Sequence, residues 1–177
     1  WLDDNEMKLL EENQVKVINN PVSNMKLAVG RSFSYRHFVK HGLQVGLGTD
    51  GCASNNNLDM FETMKFSALL QKFAINDPTV QPADEVWRMA TATGAEIFNL
   101  NGGLIEEGRD ADLLLIDCER PEMAPGHNLI SDLVYAASGA VVDTTIVAGR
   151  VLMQNRQVEG EAEIIAAARD AAQRLLG

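Results

Sequence analysis

The sequence predicts an α/β fold in two textures, a parallel strand–helix repeat followed by antiparallel strands and a closing helix. Three observations carry this. Two short apolar runs, 15–18 (VKVI) and 43–49 (LQVGLGT), are each followed by helical periodicity, which is the βα repeat of a parallel barrel or open sheet. After Gly102-Gly103 the runs 112–117 (DLLLID), 141–147 and 151–153 read as strands without crossover helices, the last two meeting near a hairpin at Ala148-Gly149-Arg150. Residues 161–176 form an Ala-rich helical stretch.

Each element has a local cause. Asp3 or Asp4 caps a short first helix with Met7, Leu9 and Leu10 at its apolar positions and Asn13 as its stop. After strand 15–18 the residues Asn19-Asn20-Pro21 read as a loop. A helix over 31–41 ends at Gly42, placed as a glycine just past a helix end. Following strand 43–49, a polar loop leads to a helix over 58–75, capped by Asn56 or Asn57, with Phe61, Met64, Ala68 and Leu69 as its stripe. Pro82 opens a single helix over 83–98 that turns Val86, Met89, Ala90 and Ile97 inward. A further helix over 129–137 lies between the first and second apolar runs of the antiparallel part.

The stretch 43–60 carries the chemistry. Alternation puts Leu43, Val45 and Leu47 on one face, against helices, and Gln44, Gly46, Gly48 and Asp50 on the other. The two glycines are expected to leave space just below the Asp50 carboxylate. A carboxylate at the C-terminal tip of a buried parallel strand is where α/β barrels keep catalytic and metal-binding groups. The competing reading is plain: Asp and Gly after a strand also make simple turns.

Composition narrows the partners. A net charge of −10 over 177 residues supplies no basic stripe for nucleic acid or an anionic membrane. No apolar run approaches a membrane span and no secretory apolar segment opens the chain. Two cysteines are too few for a disulfide framework, so a reducing cytoplasm is the expected compartment. Cys52 reads as a small buried apolar residue, since no Cys-x-x-Cys or nearby His supports it as a ligand.

Five segments in order, NPVSNMKL (20–27), GTDGCASNN (48–56), RMAT (88–91), IEEGRDADL (105–113) and VAGR (147–150), resemble the amidohydrolase superfamily. The branch is that of the 5-methylthioadenosine/S-adenosylhomocysteine deaminases and the triazine chlorohydrolases. The resemblance implies the C-terminal part of a TIM (β/α)8 barrel, strands 7 and 8 with flanking helices, plus part of a small β-sandwich and a terminal helix. The implied divisions are 1–102 for the barrel part, 103–160 for the partial sandwich with one helix returning to the barrel, and 161–177 for the terminal helix. A chain opening on Trp1 looks cut just after barrel strand 6, with the N-terminal half of the barrel as its missing partner.

The family holds one divalent metal, zinc first and iron second, on a His-x-His pair, a further His and the strand-8 Asp. By resemblance Asp50 is both a metal ligand and the group that takes a proton from attacking water. The remaining ligands lie upstream. Ser54 matches a position near the base or ribose in nucleoside deaminases, against the simpler reading of a turn hydroxyl bonding its own backbone. Asn20 and Asn24 are expected to buttress loops, and Asn19 departs from the related motif, which often reads His-Asn-Pro.

As substitute ligands, His37 and His41 share a helix face but lack an intervening Glu and flank Lys40, so they read as a surface pair. His127 reads as a solvated loop residue. This chain alone is therefore expected not to hold the metal tightly. The implied activity is deamination of an aminated purine nucleoside such as methylthioadenosine or S-adenosylhomocysteine, with a small heterocycle as the only ligand partner and a homo-oligomer as the implied assembly. The alternatives are dechlorination or deamination of a triazine or guanine, and a truncated, non-catalytic barrel fragment that aggregates or dimerises through open strand edges.

Overall fold

The computed structural model describes residues 2–177; Trp1, on which the expected cut after barrel strand 6 rests, lies outside them. Helix α1 (Asp4–Glu12) opens with a reciprocal cap: Asp3 accepts from the Asn5 and Glu6 backbone N–H groups while Glu6 accepts from the Asp3 N–H at 2.8 Å. Asn13 ends it and Met7 is its buried anchor, whereas Leu9 stays exposed.

Strands β1 (Val17–Asn19) and β2 (Val45–Leu47) pair in parallel, Val17 opposite Val45 and Asn19 opposite Leu47. The Gly48 N–H adds a last rung to the Asn19 carbonyl at 3.0 Å. Three neighbouring expectations meet the structure here, and two of them are corrected. Asn20-Pro21 does not continue as a loop: Pro21 starts helix α2 (Pro21–Lys26), because a helix's first N–H needs no partner and proline lacks one. Helix α3 (Tyr35–Lys40) is shorter than the expected 31–41. The amide of Gln71 clamps its approach, donating to the Phe33 carbonyl at 2.6 Å and accepting from the Tyr35 N–H at 3.3 Å. Gly42, at φ +69°, ends α3 as expected.

Beyond β2 comes a short helix, α4 (Cys52–Asn55), within the stretch expected as loop, and then α5 (Met60–Ile75). Neither Asn56 nor Asn57 caps α5. Asp59 does, its Oδ1 accepting from the Phe61 and Glu62 N–H groups at 2.9 and 3.3 Å. Asn56 instead closes α4 in the left-handed region, at φ +77°. On α5, Phe61, Met64 and Ala68 are buried as expected, but Leu69 faces solvent.

The expected single helix over 83–98 is two, α6 (Ala83–Ala90) and α7 (Ala92–Ile97), broken at Thr91. The Thr91 hydroxyl donates to the Trp87 carbonyl at 2.8 Å, a back-bond that bends helices. The bend turns α7 onto β2. Gly103 then packs against it so closely that a Cβ there would stand 2.8 Å from the Ala95 Cβ.

The antiparallel part is a four-stranded sheet in chain order: β3 (Leu113–Ile116), β4 (Val142–Val147), β5 (Arg150–Gln154) and β6 (Gln157–Val158). The β4–β5 hairpin turns on Ala148-Gly149, both at positive φ, as two-residue hairpins require. A second hairpin at Asn155-Arg156 adds β6, which the sequence pattern missed. Helix α8 (Leu129–Tyr135) packs on α5 and α6, and α9 (Glu161–Leu176) buries none of its residues. One apolar core joins Val45 and Leu47 of β2 to Phe61, Met64, Val86 and Val134. Leu114, Leu115, Val151 and Leu152 of the sheet, and Ile164, Leu175 and Leu176 of α9, remain exposed. Among the described residues no helix is long and apolar enough to cross a membrane.

Candidate active site at the end of the second strand

The parallel pairing of β1 and β2 brings the turns after both strands to one end of the molecule. Asp50 stands there, exposed, in the left-handed region at φ +60°, a conformation Asp tolerates better than most residues. Both carboxylate oxygens have partners. Oδ2 accepts from the Ser23 hydroxyl at 2.8 Å and Oδ1 from the Gly51 N–H at 2.7 Å. The Ser23 hydroxyl first and the Gly51 N–H second hold the Asp50 carboxyl below its ordinary value, so it is a carboxylate at neutral pH. An ionised carboxylate offers about four lone-pair sites, and these contacts leave some of them free.

The surrounding loop is tied down from both strands. Lys26, the last residue of α2, donates to the Ala53 carbonyl at 3.0 Å and to the Asn56 side chain. Asn55, buried, donates to the Thr49 carbonyl at 2.7 Å. Ser54 donates to the Gly51 carbonyl at 3.1 Å, which is the turn-hydroxyl arrangement weighed against a substrate contact. Ser23 escaped the sequence reading, because no periodicity links it to Asp50. Its role follows only from the parallel register.

The expected space beneath Asp50 is corrected. A Cβ at Gly48 would meet the Asn20 amide and lie 2.9 Å from the Ile18 Cγ2, and one at Gly46 would lie 3.0 Å from the Ile97 Cδ1. The glycines let neighbouring side chains approach the strand and do not open a void. Two cavities of the molecule are lined without Asp50. One, of about 200 Å³, lies behind α2 and is lined by Asn24, Met25, Val29 and Phe33 among others. The other is an open groove lined by Glu11, Lys16, His41 and Gln44.

The remaining candidates separate. Asn20 lies against Gly48, as a buttress would, while Asn24 lines the smaller cavity. Asn19 is buried and donates to the Ser67 hydroxyl of α5 at 3.4 Å, its Oδ1 left unpartnered. Cys52 is exposed, not buried, because the first turn of α4 faces solvent. His127 is exposed as expected. His37 and His41 are not a bare pair: Asp4 of α1 completes a triad whose candidate ligand atoms lie within 4.8 Å of one another.

The carboxylate at the end of β2 is held by a serine of α2, the helix that follows the adjacent parallel strand, and sequence comparison supplies the family. The model of the amidohydrolase family matches residues 1–152. The chain belongs to the amidohydrolase family. It is 53% identical over 176 residues to a 5'-deoxyadenosine deaminase of Methanoregula boonei, covering 99% of the chain and 40% of that relative. It is 48% identical over 180 residues to a 5-methylthioadenosine/S-adenosylhomocysteine deaminase of Archaeoglobus fulgidus, covering the whole chain and 43% of the relative. Among solved structures, a zinc-bound adenosine deaminase from Xanthomonas campestris superposes with a TM-score of 0.91 at 36% identity, over 98% of this chain and 40% of that one. A zinc complex of atrazine chlorohydrolase from Arthrobacter aurescens gives 0.81 at 25% identity, over 97% and 38%. This amidohydrolase chain thus spans about 40% of the length of the relatives it matches.

Proposed function

We propose that this chain is the C-terminal portion of a metal-dependent deaminase acting on an adenosine-type nucleoside, with β1 and β2 as the last two strands of a TIM barrel. The observation that carries the reading is the Ser23–Asp50–Gly51 arrangement, an ionised carboxylate held at a parallel strand's C-terminal end. The identities of 53% and 48% to named deaminases favour an aminated nucleoside over the triazine substrates of relatives at 25%. The exposed apolar faces of the sheet and of α9 are surfaces for the rest of such a protein.

The donor set fits a metal in part. Asp50 is ionised and solvent-facing, with lone pairs to spare, and would be one ligand; no cluster of three His, Cys, Asp or Glu donors includes it among the described residues. The other ligands belong to the preceding part of the protein. A divalent metal, zinc as in the solved relatives, makes water acidic enough to ionise near neutral pH. Asp50 serves as the base. The Ser23 hydroxyl and the Gly51 N–H fix its plane, and an unengaged lone pair accepts the proton of the attacking water. It then releases that proton towards the departing amine. In this reading the Ser54 hydroxyl, which donates to the Gly51 carbonyl, turns to the nucleoside when substrate binds.

The test is a chimera in which this chain replaces the matching part of the Methanoregula relative. Ammonia release is followed with 5'-deoxyadenosine, methylthioadenosine, S-adenosylhomocysteine, guanine and a chlorotriazine. Release from the adenosine derivatives, cut about 100- to 10,000-fold in Asp50→Ala, is expected. Release only from guanine, chloride release from the triazine alone, or Asp50→Ala at full rate would overturn the reading.

A further inference from the structure

We propose that Asp4, His37 and His41 form a second, peripheral binding site for a divalent transition ion of the zinc class, clasping α1 to α3. The pieces come from two elements. His37 lies on α3 and His41 is the cap residue directly after it, four positions on, so both imidazoles lie on one side of the helix. Their ring centroids are 5.1 Å apart, edge to face. Asp4, in the first turn of α1, faces them, its Oδ1 3.8 Å from the His37 Nε2. One donor atom from each residue falls within 4.8 Å of the other two.

The donors are available. The Asp4–His37 separation exceeds hydrogen-bond length, and the closest acid to His41, the Glu11 carboxylate, stands 3.5 Å from its Nδ1. Two neutral imidazoles with one carboxylate and an open fourth position is a donor set suited to zinc. Tetrahedral bonds of about 2.0–2.1 Å place ligand atoms about 3.4 Å apart, so the triad must contract by roughly 1.5 Å at its widest. Side-chain rotation covers that. The Asp4 side chain is 84% exposed and His37 34%, and neither is wedged in the core. Glu11 is in reach of His41 as a fourth ligand or as its orienting acceptor.

Local charge does not forbid the ion. Lys8 lies one turn beyond Asp4 on α1, and Lys40 precedes His41. Asp4 and Glu11 set two carboxylates against these cations, while Lys16 shares the groove that Glu11 and His41 line. The site lies near the N-terminal ends of β1 and β2, where His41, Glu11 and Gln44 line one groove, away from Asp50. It is therefore independent of the proposed reaction.

The experiment uses the whole 177-residue chain, stripped with chelator, and Zn2+ as the probe. Equilibrium dialysis is expected to find one equivalent bound in the micromolar range, weakened about tenfold or more in His37→Ala and in His41→Ala and unchanged in Asp50→Ala. A second readout needs no variant. The chain has three histidines, and Zn2+ is expected to shield His37 and His41 from diethyl pyrocarbonate while His127 reacts at its full rate. Equal reactivity of all three with and without Zn2+ overturns the proposal, as does Zn2+ affinity that His41→Ala leaves unchanged. Binding lost in Asp50→Ala but kept in His41→Ala would also refute it, without touching the proposed deamination.

Discussion

Asp59 joins the two textures of the fold, and its removal has a size that can be worked out. Its Oδ1 caps α5 through the Phe61 and Glu62 N–H groups, while its Oδ2 accepts from the Gly139 N–H at 2.7 Å, 80 residues away in the turn before β4. Losing an N-cap costs about 1 kcal/mol. Losing the hydrogen bond to Gly139 adds about 1 kcal/mol, the value of an ordinary hydrogen bond and less than the roughly 1.5–3 kcal/mol of one to a charged group, because Gly139 is exposed. Asp59→Ala should therefore destabilise the chain by about 2 kcal/mol, or roughly 4–8 °C in Tm for a chain of this size. Asp59→Asn separates the terms, since Asn caps a helix as well as Asp does and only the Gly139 contact is weakened, a cost of about 1 kcal/mol. Guanidinium unfolding of the three proteins, followed by circular dichroism at low protein concentration, gives both differences. A loss under about 0.5 kcal/mol in Asp59→Ala, or equal losses in Ala and Asn, refutes the assignment of two separate contacts to one carboxylate.

Three further outcomes are expected. Ser23→Ala removes the largest influence holding the Asp50 carboxyl low, so the acid limb of the chimera's pH–rate profile should move to higher pH, and an unmoved limb would deny the Ser23 contact. Asp77, held at about 2 first by Thr79 and then by Arg36, favours the folded state above its ordinary value of 3.8 and loses that contribution as pH falls from there to about 2; in Asp77→Asn this part of the acid dependence should vanish from unfolding curves. The pair β1–β2 has no third strand on either side among the described residues, so the isolated chain is expected to self-associate through these open edges, and a chain that stays strictly monomeric in light scattering at high concentration would contradict the barrel-fragment reading.

Local pattern reached far in this chain. Alternation at Leu43, Val45 and Leu47 identified the buried face of β2, and Asp3 or Asp4, Gly42 and Ala148-Gly149 marked a helix start, a helix end and a hairpin because each acts on backbone within a few residues. Several of the misses share one origin, contacts from other elements. Helix α3 starts late because Gln71 of α5 binds the backbone at Phe33 and Tyr35, and α6 stops at Thr91 so that α7 can reach β2. Likewise Gly46 and Gly48 read as spaces when only covalent neighbours are considered, while Ile18, Asn20 and Ile97 fill them from other elements.

By itself, the sequence determined the two textures of the fold, its main strands and longer helices, and the position of Asp50 at a strand's end, since period and turn chemistry are properties of adjacent residues. Only the tertiary structure decided what Asp50 touches. Ser23 is 27 positions away and becomes its donor through the parallel register, just as Asp4 meets His37 and His41 through the packing of α1 beside α3. Contacts of that kind depend on how elements are placed in space, and no local pattern encodes the placement.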